Sequence, residues 1–391
     1  MATIRKRKDG YQITVTHGRD INGKQIRYFR TFKPEERMTE RQIEKALTKF
    51  AVEFENEVIN GIALDNKQTF SSYANYVIAL KERSGIKHTT INRYKEFLKV
   101  IEQSIGHLKL ADIRPQHLNN FYAYLAQDGM NKRTGGKLSN KTITEYHRFI
   151  STVLTQAEKE LLVPYNMAKK ATPPKVEKHE PNYFQIEDIE KIRDALETEP
   201  IKYKALTHLL LVTGCRRGEI MALTWSKIDL ETNTIKIDSN LLYTNSKGVY
   251  LDSTKTSTSN RTITIPEQTT ALLKEYRLHN KQLKLLNGDR WHNSDFVFVQ
   301  DNGEVMNPQT ITAWLAKFSV RHNLKHINPH AFRHTMASVL YYNGIDCITI
   351  SKRLGHAKVS TTTDIYSHIM AKADEEASNC ISDILFKKTS N

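Results

Sequence analysis

Cysteine is scarce in this chain. Its three copies, Cys215, Cys347 and Cys380, are odd in number and far apart, so they make no disulfide framework and suit a reducing compartment. No apolar run approaches the ~20 residues that span a bilayer, and the first residues are basic and polar where a secretion signal would be apolar. A cytoplasmic protein with no membrane partner is therefore expected. There is no G-x-x-x-x-G-K-[ST] loop, hence no implied nucleotide cofactor, and there is neither an internal repeat nor a low-complexity tract. Acidic residues are outnumbered, 43 against 58 Lys and Arg, for a formal charge of +15. That excess points to a polyanionic partner, although a merely lysine-rich soluble protein would carry the same total. The 391 residues suffice for two or three domains, each with its own core.

The charge is concentrated at the start. Residues 1 to 33 hold nine basic residues (Arg5, Lys6, Arg7, Lys8, Arg19, Lys24, Arg27, Arg30 and Lys33) against Asp9 and Asp20. Tyr11, Ile13 and Val15 alternate with polar neighbours, and Asn22-Gly23 is a turn signal ahead of Ile26 to Phe32, so a small antiparallel sheet is predicted. Thr39 and Gln42 form a capping box for a helix whose apolar stripe runs through Ile43, Leu47, Phe50, Phe54 and Val58 to a stop at Asn60-Gly61. Such a module, residues 1–65, is suited to laying basic strands in a DNA groove, with Arg5, Lys6, Arg7, Lys8, Arg19, Arg27 and Arg30 as the contacts. A solvated basic face on a small fold is the competing account.

Residues 66–168 read as wholly helical. Phe70, Tyr73, Val77 and Leu80 make one stripe, and Ile91, Tyr94, Leu98 and Ile101 a second. Pro115 opens a third with Leu118, Phe121, Tyr122 and Leu125, and Ile143, Ile150, Leu154 and Ala157 line a fourth. Lys132, Arg133, Lys137 and Lys141, around Gly135-Gly136, offer a grip on a phosphate backbone. Residues 169–183, with Pro173-Pro174 and no apolar period, read as a linker. Residues 184–391 are mixed: helices over Phe184 to Leu196 and Tyr203 to Val212, short strands at Thr234 to Asp238, Val249 to Leu251 and Arg261 to Ile265, an apolar segment at Phe296 to Val299, then helix. The expected architecture is multidomain and mainly α, with a sheet-plus-helix module, a helical domain and a mixed α+β domain.

Chemistry at a phosphodiester without a metal needs cationic forks, an acid and an in-line nucleophile. Arg216 in Thr213-Gly214-Cys215-Arg216 and Arg333 in His330-Ala331-Phe332-Arg333 are candidate forks, since guanidinium binds phosphate bidentately and stays charged. Glu219, one helical turn after Arg216, is placed to hold it, and Arg217 points elsewhere. His330 lies on the face of Arg333 as a proton shuttle, and His356 in Leu354-Gly355-His356 as a donor to phosphate. His330 and His334 are spaced like a zinc pair. Ala331 stands where the acid of H-E-x-x-H would be and no third ligand has a motif, so no metal is expected.

Taken together and in this order, T-G-x-R, H-x-x-R, L-G-H and Thr361-Thr362-Thr363-Asp364-Ile365-Tyr366-Ser367-His368 resemble the signature of the tyrosine recombinases, the phage-integrase family, over roughly residues 185 to 370. The resemblance implies Tyr366 as nucleophile and Lys255, in Ser253-Thr254-Lys255-Thr256, as the acid that protonates the leaving 5′ oxygen. It implies an integrase of a phage or conjugative transposon that cuts and exchanges DNA strands through a 3′-phosphotyrosine. The N-terminal module would hold outlying sites, the helical domain would bind the core site, and residues 169–183 would let two bodies close on a duplex. A homo-tetramer on double-stranded attachment sites, exchanging C-terminal tails and assisted by an excisionase and DNA-bending proteins, would be nucleoid-associated in a bacterial host. A type IB topoisomerase shares the chemistry without strand exchange, and a non-catalytic DNA-binding regulator shares the fold.

Overall fold

The structure, a computed structural model, describes residues 2–8, 10–19, 23–35, 38–59, 68–177, 184–253 and 260–356. The chain divides into two compact units, Met1–Lys178 and His179–Asn391. Among the described residues no helix is long and apolar enough to cross a membrane.

In the first unit, β1 (Thr3–Arg7), β2 (Gly10–Arg19) and β3 (Gln25–Phe32) form an antiparallel sheet in the order β1-β2-β3. The alternation predicted for β2 holds: Ile13 and Val15 are buried with Leu47, Ala51, Phe54 and Val58 of α1 (Glu40–Ile59). The capping box is made, with the Thr39 amide donating to Gln42 Oε1 at 2.9 Å. The predicted stop at Asn60-Gly61 lies outside the described residues.

The four helical stripes become α2 (Phe70–Arg83), α3 (His88–Glu102), α4 (Pro115–Leu125) and α5 (Asn140–Lys159), whose apolar faces share one core around Phe70, Leu98, Phe121 and Ile150. Thr69 and Ser139 cap α2 and α5 by accepting from backbone amides one turn on. The first part of the expected linker is not loose. Ala171 packs against the helical core, the Thr172 amide donates to Asn119 Oδ1 at 2.8 Å, and Asn140 Nδ2 donates to the Lys175 carbonyl at 3.0 Å. Short polar residues bond backbone that has no helical partners of its own, which apolar periodicity does not register.

The second unit begins with α6 (Ile186–Leu196), α7 (Ile201–Thr213) and the short α8 (Arg217–Met221). Five strands follow: β4 (Ile228–Asp229), β5 (Thr234–Ile237), β6 (Ser239–Thr244), β7 (Gly248–Ser253) and β8 (Arg261–Thr264). One sheet has the order β4-β5-β8, and β6 pairs with β7 as a hairpin. β6 was not foreseen, because Leu241, Leu242 and Tyr243 run together without alternation. The unit ends, within the described residues, with α9 (Glu267–Asn287), α10 (Thr310–Arg321), α11 (Pro329–Tyr342) and α12 (Cys347–Leu354). Its core joins Leu206, Leu210, Ile220, Ile235, Leu273, Leu315 and Phe332.

Candidate active site

Two helix ends build the floor of the site. Helix α7 is buried nearly all round and stops at Gly214 in the left-handed region, φ 60°. The left-handed turn favours glycine there, and the Met336 side chain of α11 fills the space that a Cβ would take, with Cε 2.2 Å from its position. Helix α12 stops in the same way at Gly355, φ 67°. Arg333 reaches between these ends: Nη1 donates to the Gly214 carbonyl at 2.8 Å and Nη2 to the Leu354 carbonyl at 2.7 Å. The partial negative charge at two helix C-termini thus fixes a side chain only 3% exposed. Burial, and then neighbouring Arg216, lower its pKa to about 10, which leaves it charged at neutral pH.

Arg216 stands at the N-cap of α8, directly after the Gly214 turn and buried Cys215. Its Nη1 donates to Glu219 Oε1 at 2.8 Å while its amide donates to Oε2 at 3.0 Å, so Glu219 caps the helix and aims the guanidinium at once. Glu219 is 3% exposed and is no surface ion pair. Burial works to raise its pKa, but the Arg261 and Arg216 guanidinium groups outweigh it and hold the carboxyl below the usual range. Arg217 points away, to Thr312 Oγ1 at 2.9 Å.

Arg261 on β8 is a site residue the motifs did not single out. Its Nη2 donates to Glu219 Oε2 at 2.8 Å and to Cys215 Sγ at 3.1 Å, and its Nε to the Arg353 carbonyl at 2.7 Å. The available signal was an arginine in phase with inward-facing Ile263 on a short strand.

His330 begins α11, where Pro329 and the Asn328 cap set the first turn; Asn328 Oδ1 accepts from the His330 and Ala331 amides. Desolvation, then Arg333 and Arg216, lower the His330 pKa. His334 stacks edge-on at 5.2 Å between ring centroids and is lowered to about 4, by burial and then by His330 and Arg333. His356 follows Gly355 and is also lowered to about 4, by burial and then by Arg333 and Arg216. Arg216, Glu219, His330, Arg333 and His356 therefore share one electrostatic neighbourhood although they come from three separate stretches of chain. Lys255 and Tyr366 lie outside the described residues.

Both low histidine values carry a stability consequence. An unfolded histidine titrates near 6.5, so between pH 6.5 and about 4 the unfolded chain binds more protons, and stability present above pH 6.5 is lost as the pH falls through that window. The urea midpoint of the DNA-free protein is expected to drop across it, with the His356 ring still neutral by NMR at pH 6. A His356 titration centred near 6.5 would contradict this account.

The expected DNA contacts divide by register. Thr3↔Thr14, Arg5↔Gln12 and Arg7↔Gly10 alternate with Ile4↔Ile13 and Lys6↔Tyr11, and Arg27 pairs with Thr16. Arg5, Arg7, Arg27 and the 59%-exposed Phe29 thus share the face away from α1. Lys6 is on the α1 side. So is Arg30, which pairs with Glu57 at 2.7 Å and lies over the Phe54 ring at 4.5 Å. Lys8 is exposed in the β1–β2 turn, and Arg19 ends β2. Lys132, Arg133 and Lys137 are exposed on the loop before α5, and Lys141 on its first turn. Among the described residues no three His, Cys, Asp or Glu side chains are grouped to hold a metal ion.

Paired guanidinium groups beside neutral histidines make a site for a phosphodiester. Residues 182–373 match the Phage integrase family and residues 69–172 the Phage integrase SAM-like domain. The tyrosine recombinase XerC-like protein of Caldanaerobacter subterraneus subsp. tengcongensis is 27% identical over 401 residues, covering 97% of this chain and 98% of that protein. The ICEBs1 integrase of Bacillus subtilis is 26% identical over 397 residues, covering 98% and 100%. In fold the chain is similar to the Tn1549 transposon integrase solved with transposon right end DNA, at TM-score 0.65, 19% identity and coverage of 79% and 99%. It is also similar to a lambda integrase tetramer bound to a Holliday junction, at TM-score 0.55, 17% identity and coverage of 93% and 94%. The protein is a DNA strand-breaking and rejoining enzyme. It belongs to the phage integrase family of tyrosine recombinases.

Proposed function

We propose that this chain is the integrase of a phage or conjugative transposon, inserting and excising the element by exchanging strands between two DNA sites. The observation that carries the reading is the convergence of Arg216 and Arg333, held by Glu219 and by two helix ends, with His330 and His356 beside them. Two guanidinium forks bind the non-bridging oxygens of one phosphate and take up the charge that grows on them during attack. The Tyr366 hydroxyl attacks the phosphorus and gives its proton to His330; a tyrosine–phosphorus bond forms at the 3′ side. The 5′ oxygen leaves and takes a proton from Lys255, while His356, neutral in the free protein, donates a hydrogen bond to the phosphate. Because the phosphotyrosine keeps the energy of the broken phosphodiester, a 5′ hydroxyl from the partner strand closes the new bond with no ATP.

Residues 1–65 are assigned to outlying sites through Arg5, Arg7 and Arg27, residues 66–168 to the core site through Lys132, Arg133, Lys137 and Lys141, and residues 184–391 to chemistry. The Tn1549 integrase with its transposon end and the lambda integrase tetramer on a Holliday junction support a tetramer on DNA for this chain. Tail exchange through residues 367 to 391 lies outside the described residues. Nucleoid association, an excisionase and DNA-bending proteins belong to the same reading. The test is strand exchange between two differently labelled duplexes that carry the attachment sites found in the DNA flanking the gene. Recombinant products are expected; breakage and rejoining confined to single duplexes would assign a topoisomerase instead.

A further inference from the structure

We propose that Arg261 is a positioning residue that acts through Glu219: it cancels the buried carboxylate's charge, so that Arg216 and Arg333 both present their positive charge to the scissile phosphate. The proposal rests on the recombinase reading and deepens it. Glu219 is gripped from both sides, with Oε1 taken by Arg216 at 2.8 Å and Oε2 by Arg261 at 2.8 Å. The outer partner, Arg216, keeps 41% of its side chain exposed, whereas Arg261 keeps 7% and Glu219 3%. Arg261 is thus the inner counter-ion and Arg216 the cation that faces outward. Among the described residues, these three guanidinium charges against one carboxylate sum to +2.

Remove Arg261 and the carboxylate remains, now set against Arg216 alone. Inside a desolvated site such a charge is poorly screened, and the attraction offered to a phosphate would fall accordingly. Two further features support a built counter-ion. Arg261 is anchored by its Nε to the Arg353 carbonyl at 2.7 Å, on the last turn of α12. Gly355 also makes room for it, since a Cβ there would lie 2.7 Å from Arg261 Nη1. The glycine of Leu354-Gly355-His356 therefore ends a helix and admits this arginine.

The experiment compares the unaltered chain, Arg261→Gln and the double variant Glu219→Gln with Arg261→Gln, each bound at saturation to a nicked duplex carrying the attachment site. Thermal melting and DNA affinity are measured alongside the rate of covalent adduct formation. Arg261→Gln is expected to slow adduct formation by about 100-fold with DNA affinity little changed. The double variant, which restores the net charge, is expected to be ~10-fold faster than the single. A single variant that cleaves like the unaltered chain overturns the proposal, and so does a folded, DNA-bound double variant no faster than the single. If Arg261→Gln does not fold, the double variant decides: cleavage within about 10-fold of the unaltered chain supports the role, and slower cleavage overturns it. Loss of folding in both would make Arg261 a stability residue only. Absence of adduct with the unaltered chain would instead count against the recombinase reading itself.

Discussion

Tyr366→Phe is expected to bind its attachment site with near-normal affinity and to form no SDS-resistant adduct with DNA. The substitution removes one oxygen and keeps the ring, so contacts that depend on shape persist while the attacking atom is gone. The effect is all or none because no neighbouring group can replace an in-line nucleophile. Ionising a phenol of pKa about 10 at pH 7 costs roughly 4 kcal/mol, which places a tyrosine nucleophile beside concentrated positive charge. Arg216 and Arg333 supply that charge within the described residues. Among the chain's 17 tyrosines, Tyr341 and Tyr342 come next after Tyr366 in distance along the chain from the L-G-H motif. Tyr342 is 73% exposed and Tyr341 packs with Met336 and Ile350, so their replacement by phenylalanine should leave the adduct intact. A gel shift paired with an SDS gel of the same reactions checks this, and an adduct that survives Tyr366→Phe means the nucleophile is another residue.

The second large effect is expected at Arg333, where one side chain serves both fold and phosphate. Of its five N–H donors, two are taken among the described residues, by the Gly214 and Leu354 carbonyls, and the proposed role assigns others to a phosphate. Arg333→Gln should slow adduct formation by about 1000-fold and destabilise the chain by about 3 kcal/mol, because buried acceptors at two helix ends lose a charged donor. Arg333→Lys keeps the charge but cannot reach both carbonyls and a phosphate together, so it should fold better than Arg333→Gln and still cleave slowly. Single-turnover cleavage and urea unfolding separate the two losses. Cleavage by Arg333→Lys at the unaltered rate would show that charge alone, without the fork, is what the site needs.

Much of the fold was legible in the sequence. The helices of residues 68–177 follow their apolar stripes, with Phe70, Ile91, Leu118 and Ile143 all buried, because 3.6-residue periodicity is a local property that burial reads out directly. The caps at Thr39 and Asn328 are local as well. Less legible was any feature set by partners distant in sequence. Arg30 has the composition of a groove contact, yet its strand register turns it toward Glu57. Residues 169 to 175 look like a tether, yet Asn119 and Asn140 bond their backbone.

The sequence by itself determined the family and put forward an ordered set of candidate reactive side chains, since T-G-x-R, H-x-x-R and L-G-H each encode a short turn-and-helix geometry that needs no distant information. Only the tertiary structure decided how those side chains are held and what charge they present. Arg333 is fixed by two helix ends 119 and 21 residues away in the chain. Glu219 is neutralised by an arginine 42 residues further on. Burial and electrostatic pairing are properties of which atoms meet after folding, and spacing along a chain does not contain them.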